Sequence, residues 1–231
     1  MTREHRLTLP FSPEQARELN CGDTVYLSGV VHTMRDMGHR RAVDMLARGE
    51  RLPFDLRDGA IWHCGPIVRK VVPANATPSP AQERWEVLSA GPTTSSRFNQ
   101  LGPQLMRSLG VRCIVGKGIM GAEAIRTMQE IGGCFLNATG GCGALYAGQI
   151  EEVVNVFWTE LGLPEAVWVL QVKELGPLVV GIDARGNSLF GKIGAQMRAN
   201  LEAVYREAGI RPDYNLAYLP KRVAGKGGGK L

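Results

Sequence analysis

The chain has 231 residues, 44% of them apolar but only 6% aromatic, with 29 glycines and a formal charge of +5. That composition suits a turn-rich α/β domain rather than a disordered chain, and no apolar run reaches the length of a membrane span. The charge excludes less than it suggests: Lys221, Arg222, Lys226 and Lys230 crowd the acid-free segment PKRVAGKGGGKL, leaving about +1 for the rest, which argues against a nucleic-acid partner.

In chain order, Ser12-Pro13-Glu14-Gln15 is a capping box with proline at the first helical position, predicting a short helix to about Leu19. CGD turns the chain into the strand TVYLSGVV, and TMRDMGHRRAVDMLARGE predicts a helix on Met37, Val43, Leu46 and Ala47 that stops at Gly49. AIWHCGPIV and WEVLSAGP are two strand-then-Gly-Pro units joined by the loop PANATPSPAQE. A helix over 98–109 ends at Gly110, and VRCIVGKG is a buried strand. GAEAIRTMQEIGG is a helix, CFLNATGG a strand and CGALYAGQI a short helix. AVWVLQVKEL and LVVGIDARGNSLF are two more strands, with a turn at Arg-Gly-Asn, and GAQMRANLEAVYREAG is an amphipathic helix.

Connections in the first half look antiparallel, whereas residues 86–140 alternate strand and helix. Residues 1–219 are expected to form the folded domain and 220–231 a disordered basic Gly/Lys tail. The start, MTREHRLTLPFSPEQ, lacks the apolar core of a signal peptide, so the cytoplasm is the expected location. Cys21, Cys64, Cys113, Cys134 and Cys142 are odd in number and contain no CxxC pair, which argues against a disulfide framework and against a self-contained zinc site.

Ligands of α/β sheets bind outside the carboxyl ends of the strands, and three glycine-rich loops follow strands here: AGPTTSSR, GKGIMG and NATGGCG. GKGIMG matches a dinucleotide fingerprint through Gly116, Gly118 and Gly121, but the acid expected about twenty residues later is missing. A tight turn explains these glycines better, and Lys117 between them suits a carboxylate or phosphate. HTMRDMGHRRA offers His32, Arg35, Asp36 and His39, with Arg35 and His39 on one helical face. His63 and Cys64 read as packing residues, and Cys142 lacks an identifiable base and reads as a small buried residue.

Four hydroxyls followed by an arginine, Thr93-Thr94-Ser95-Ser96-Arg97, exceed what a strand-to-helix connection needs, since one hydroxyl suffices to cap a helix. Ser95 or Ser96 is expected to cap, leaving Thr93, Thr94 and Arg97 to join Arg35 and Lys117 around a small dianion such as a dicarboxylate. With no metal-ligand motif and no clear base of its own, this is half an active site.

HTMRDMGHRRA, SAGPTTSSR, CIVGKGIMG, ATGGCGAL and GLPEAVWVLQVKELGPLVVGIDARGNSLF, in this order, resemble the β-chain family of class I iron–sulfur hydro-lyases. That family spans β subunits of L(+)-tartrate dehydratase and two-subunit fumarate hydratase and the C-terminal domain of one-chain class I fumarases. The resemblance runs from about Phe11 to Tyr205, with Ser96 where glycine is common and Phe98 where methionine is common.

It implies an α/β fold of the swivelling β/β/α three-layer type, with a mixed sheet and helices. It implies substrate contacts at Arg35, Thr93, Thr94, Arg97 and Lys117, with Thr93 relaying a proton alongside a carboxylate of the other chain. It further implies a partner α subunit in an α2β2 assembly, holding a four-iron four-sulfur cluster through its own cysteines. Its open iron would act as a Lewis acid on the substrate hydroxyl, and this chain would supply no metal ligand and be active only with that partner. L-Tartrate, malate/fumarate and mesaconate all fit such a site. The competing readings are a nucleotide-binding oxidoreductase domain built on GKGIMG and a non-catalytic assembly subunit.

Overall fold

In a computed structural model of the chain, residues 2–71 and 84–210 are described; the loop around PANATPSPAQE and the basic tail lie outside them. Two compact units are distinguished, Met1–Phe190 and Gly191–Leu231.

The first unit is a mixed α/β domain. Its strands are β1 (Glu4–Thr8), β2 (Thr24–Thr33), β3 (Ala60–Trp62), β4 (Ile67–Val71), β5 (Arg84–Ser89), β6 (Cys113–Gly116), β7 (Cys134–Asn137), β8 (Ile150–Phe157) and β9 (Val167–Ile182). Its helices are α1 (Pro13–Glu18), α2 (Asp36–Ala47), α3 (Gly102–Leu109), α4 (Ala122–Ile131) and α5 (Gly143–Ala147). Helix α6 (Leu189–Glu207) begins there and makes up most of the described second unit; its apolar residues Phe190, Ile193, Met197, Leu201 and Val204 are exposed. Among the described residues no helix is long and apolar enough to cross a membrane.

The seven-stranded sheet runs β1-β2-β3-β6-β7-β9-β8, and β9 also pairs with β2. Strands β1, β2, β3, β6 and β7 are parallel, so the antiparallel connections expected in the first half are found there only in the β4–β5 ribbon. Among the described strands, β9 pairs antiparallel with β2, β7 and β8, and β4 with β5 in a separate ribbon. Because β9 joins both β7 and β2, strands β2, β3, β6, β7 and β9 close on themselves.

The buried strand segments CIVG and CFLN read as unbroken apolar runs because both of their faces are covered. Trp62, Val115 and Leu136 pack in one core with Trp168 and Leu170. The alternate residues Ile61, Ile114 and Phe135 pack in a second with Leu105 and Met128 of α3 and α4. Helix α3 ends, as expected, at the left-handed Gly110 (φ 68°), and α4 ends likewise at Gly132 (φ 67°). Ser12 and Gln15 form the predicted capping box.

Three strand assignments differ from the sequence reading. AVWVLQVKEL and LVVGI are one strand, because the Gly176-Pro177 step sits in a bulge: Leu175 pairs with Leu27 and Leu178 with Val25. The Gln149 amide satisfies both polar groups of Gly176 there, accepting from its N–H (3.1 Å) and donating to its carbonyl (2.7 Å). Edge strand β8 pairs only with β9 through two register shifts, which erase the period-2 pattern. Edge strand β1 is short and mostly polar, so it too carries a weak signal.

Candidate active site

Parallel β2, β3, β6 and β7 bring four loops to one edge: Met34-Arg35, His63-Cys64, Lys117 and Ala138-Gly140. The segment after β5 threads through that edge on main-chain bonds. Pro92 bridges Cys64, the Thr93 N–H donates to His63 O (2.7 Å), the Lys117 N–H donates to Thr93 O (3.3 Å) and the Ser95 N–H donates to Lys117 O (3.0 Å). SAGPTTSSR therefore lies across the ends of β3 and β6, continuing into the 3-10 turn Ser95–Phe98.

Arg35 is the N-cap of α2, a position where Ser, Thr, Asp or Asn is the usual choice. Its side chain makes no cap; Glu165 from the loop before β9 does this instead, its Oε2 accepting from the Met37 N–H (2.9 Å). Glu165 Oε1 also lies 3.5 Å from Arg35 Nε. The Arg35 stem runs against Gly65, where an added Cβ would fall 2.6 Å from Arg35 Cδ and 2.6 Å from the Pro164 carbonyl. Asp36 pairs with the Arg97 guanidinium, joining the α2 start to the hydroxyl segment. The Lys117 side chain packs against the third glycine loop at Gly140, where an added Cβ would stand 3.6 Å from Nζ.

All five residues expected from sequence, Arg35, Thr93, Thr94, Arg97 and Lys117, thus sit on loops at one sheet edge. Among the described residues neither threonine hydroxyl is engaged by another group. Guanidinium, ammonium and hydroxyl groups, the kinds of donor that hold anions, are thus gathered at this edge, with the Asp36 and Glu165 carboxylates beside the two arginines.

The expected capping role of Ser95 or Ser96 is not observed. Thr94 is the N-cap of the turn without a side-chain bond, and Ser95 is buried, sharing a 2.8 Å hydrogen bond with His63 Nδ1. His63 read as packing in the sequence; its hydroxyl partner lies 32 residues away and leaves no local signal. His39 accepts the backbone geometry of its own helix turn, its Nδ1–H donating to Arg35 O (2.8 Å). His39, His63 and Phe98 pack as one cluster, the imidazole centroids 4.4 and 4.2 Å from the Phe98 ring and 5.2 Å from each other. His32 lies within β2 against Phe54 and Cys142 opens only the five-residue α5, so neither joins the site.

Burial holds His32 and His39 down to about 4 and drives His63 well below the ordinary 6.5. All three are neutral in the native protein near pH 7, while the unfolded chain takes up protons as pH falls below about 6.5. The unfolded state then binds more protons than the native one, so stability falls as pH drops from about 6.5 towards 4. Urea unfolding midpoints across that range should decline, and less steeply in His32→Gln; an unchanged decline would mean that His32 is charged in the folded chain.

The glycines of GKGIMG have local structural reasons. Gly116 makes room for Ser95, Gly118 has φ 78°, and the Gly121 N–H donates to Asn99 Oδ1 (2.8 Å). With the Lys117 N–H donating to Thr93, two of the amides that would cradle a pyrophosphate are occupied.

A cationic, hydroxyl-lined half-site on a closed mixed sheet is the class these features define, and sequence relationships place it. The profile of the family described as Fumarase C-terminus matches residues 2–193, and the chain belongs to that family. It is 40% identical over 186 residues to the L(+)-tartrate dehydratase subunit beta of Escherichia coli K12, covering 80% of this chain and 86% of the relative. A Methanocaldococcus jannaschii protein provisionally given the same name is 39% identical over 189 residues, 81% of this chain and 92% of the relative. A Geobacillus stearothermophilus protein provisionally named fumarate hydratase class I is 41% identical over 183 residues, 79% of this chain but 33% of the relative.

Proposed function

We propose that the chain is the β subunit of a two-subunit hydro-lyase that reversibly removes water from a 2-hydroxy dicarboxylic acid, converting L-tartrate to oxaloacetate or L-malate to fumarate. The observation that carries this reading is the gathering of Arg35, Thr93, Thr94, Arg97 and Lys117 at one strand edge, within a chain similar to proteins named as tartrate dehydratase β subunits.

Arg35 and Arg97 hold the two carboxylates, with the exposed Asp36 pair exchanged for substrate at Arg97. Lys117 adds a point charge where negative charge builds as the C3 proton leaves. Thr93 relays that proton; its hydroxyl is a poor base alone, so a carboxylate of the partner α subunit takes the proton on. Holding the two subunits in register contributes the positional share of catalysis.

The iron–sulfur cluster implied by the family does not fit this chain's own residues. Among the described residues no three His, Cys, Asp or Glu are placed to hold a metal, and burial pushes the Cys64 and Cys113 thiols up, away from the thiolate a ligand needs. In the proposed α2β2 assembly, located in the cytoplasm, the α subunit carries the cluster.

An anaerobic pull-down of the tagged chain from its native cells tests the reading. A co-purifying partner with iron–sulfur absorbance, and water loss from L-tartrate or L-malate, supports it and selects the substrate; mesaconate hydration would move it to a five-carbon acid. A solitary, inactive chain that binds NAD would overturn it.

A further inference from the structure

We infer that His63, buried beneath the candidate site, is a positioning residue that fixes the Thr93–Arg97 turn through its hydrogen bond to Ser95. This rests on the site reading above.

His63 holds the turn at two points. Its carbonyl accepts from the Thr93 N–H at 2.7 Å, and its Nδ1 meets the Ser95 hydroxyl at 2.8 Å. Its own N–H is tied to Val115 O at 2.8 Å on β6, so the anchor belongs to the sheet and not to the loop. Space has been cleared for the Ser95 contact. A Cβ on Gly116 would stand 1.9 Å from Ser95 Oγ and 3.2 Å from His63 Nδ1, so any side chain there would expel the hydroxyl.

The imidazole is also a poor choice for packing alone. His63 Nε2 and His39 Nε2 are buried without a hydrogen-bond partner, a cost that a phenylalanine at either position would remove. A polar ring retained in an apolar slot against its stability cost, bonded to the residue between Thr94 and Ser96, fits a role in placement. His39 packs against both His63 and Phe98, and its Nδ1–H bonds Arg35 O, so the same cluster reaches the main chain at Arg35.

The test uses His63→Phe, His63→Asn, Ser95→Ala and Thr93→Val, each assembled with the partner subunit and assayed with L-tartrate and L-malate. His63→Phe keeps the ring and loses the bond; His63→Asn loses the ring and keeps a polar atom near the Nδ1 position. His63→Phe and Ser95→Ala should lower kcat about 10–100-fold, the loss expected when reacting groups are misplaced by about an ångström, with smaller changes in KM. The double variant should be no slower than the slower single one. His63→Asn should retain more kcat than His63→Phe, with the unfolding temperature of each variant measured so that only folded proteins are compared.

Amide exchange in the isolated chain gives a readout independent of activity: residues 93–97 should exchange faster in His63→Phe and Ser95→Ala than in His63→Asn. Wild-type kcat and exchange in His63→Phe, or a slower His63→Asn, would overturn the inference and leave a packing residue. If Thr93→Val is slow while His63→Phe is normal, only this inference fails; if Thr93→Val is also at wild-type rates, the site reading fails with it.

Discussion

Thr93→Val in the assembled enzyme is expected to lower kcat by about 10²–10⁴-fold, the usual loss on removing a group that transfers a proton in the transition state. The substitution is chosen to isolate the hydroxyl. Valine keeps the branched shape, and the Thr93 main chain is held independently by His63 O on one side and the Lys117 N–H on the other. Among the described residues the hydroxyl bonds no other group, so its removal costs little stability, and the complex should assemble normally. The measurement is kcat for water loss from L-tartrate and L-malate, with co-elution of the partner as the control. A variant that assembles and turns over at the wild-type rate would remove Thr93 from proton transfer.

Arg97→Ala should lower kcat/KM about 10–100-fold, corresponding to about 1.5–3 kcal/mol for a lost hydrogen bond to a charged group. Its resting partner shows why the effect falls on substrate and not on folding. The Arg97–Asp36 pair is 46% and 39% exposed, and exposed pairs contribute about 0–1 kcal/mol to stability. Breaking it is therefore cheap, whether by substitution or by an incoming carboxylate. Asp36→Asn removes the competitor for the guanidinium while leaving Arg97 in place, so it should leave KM unchanged or lower it. The pair of variants separates ligand capture from loop support: equal losses of kcat/KM in Arg97→Ala and Asp36→Asn would mean that the ion pair matters only as a strut. Arg97→Lys should recover part of the loss, since a point charge replaces the attraction but not the two-pronged geometry.

The residues proposed for the site drew notice in the sequence through local departures. Four hydroxyls stand where one would cap, and a lysine sits inside a glycine turn. The family motifs that contain them agree with the profile match over residues 2–193. His63 broke no local rule, and Ser95, though one of the four hydroxyls, was expected to cap. Their bond spans 32 residues and leaves no local signal. Glu165 was equally silent, because it caps α2 from 128 residues away.

What the sequence determined by itself is what neighbouring residues decide together: the capping box at Ser12, the helix stops at Gly110 and Gly132, the buried strands CIVG and CFLN, and the polar loops that follow strands. Only the tertiary structure decided the parallel order of β1, β2, β3, β6 and β7, the closure through β9, the Asp36–Arg97 pair and the imidazole layer under the site. The physical reason is the range of the forces involved. Caps, turns and periodicity act over one helical turn or one strand and leave their mark in adjacent letters. Strand partners and buried hydrogen bonds are chosen by what the rest of the chain brings alongside, after the fold has excluded water from between them.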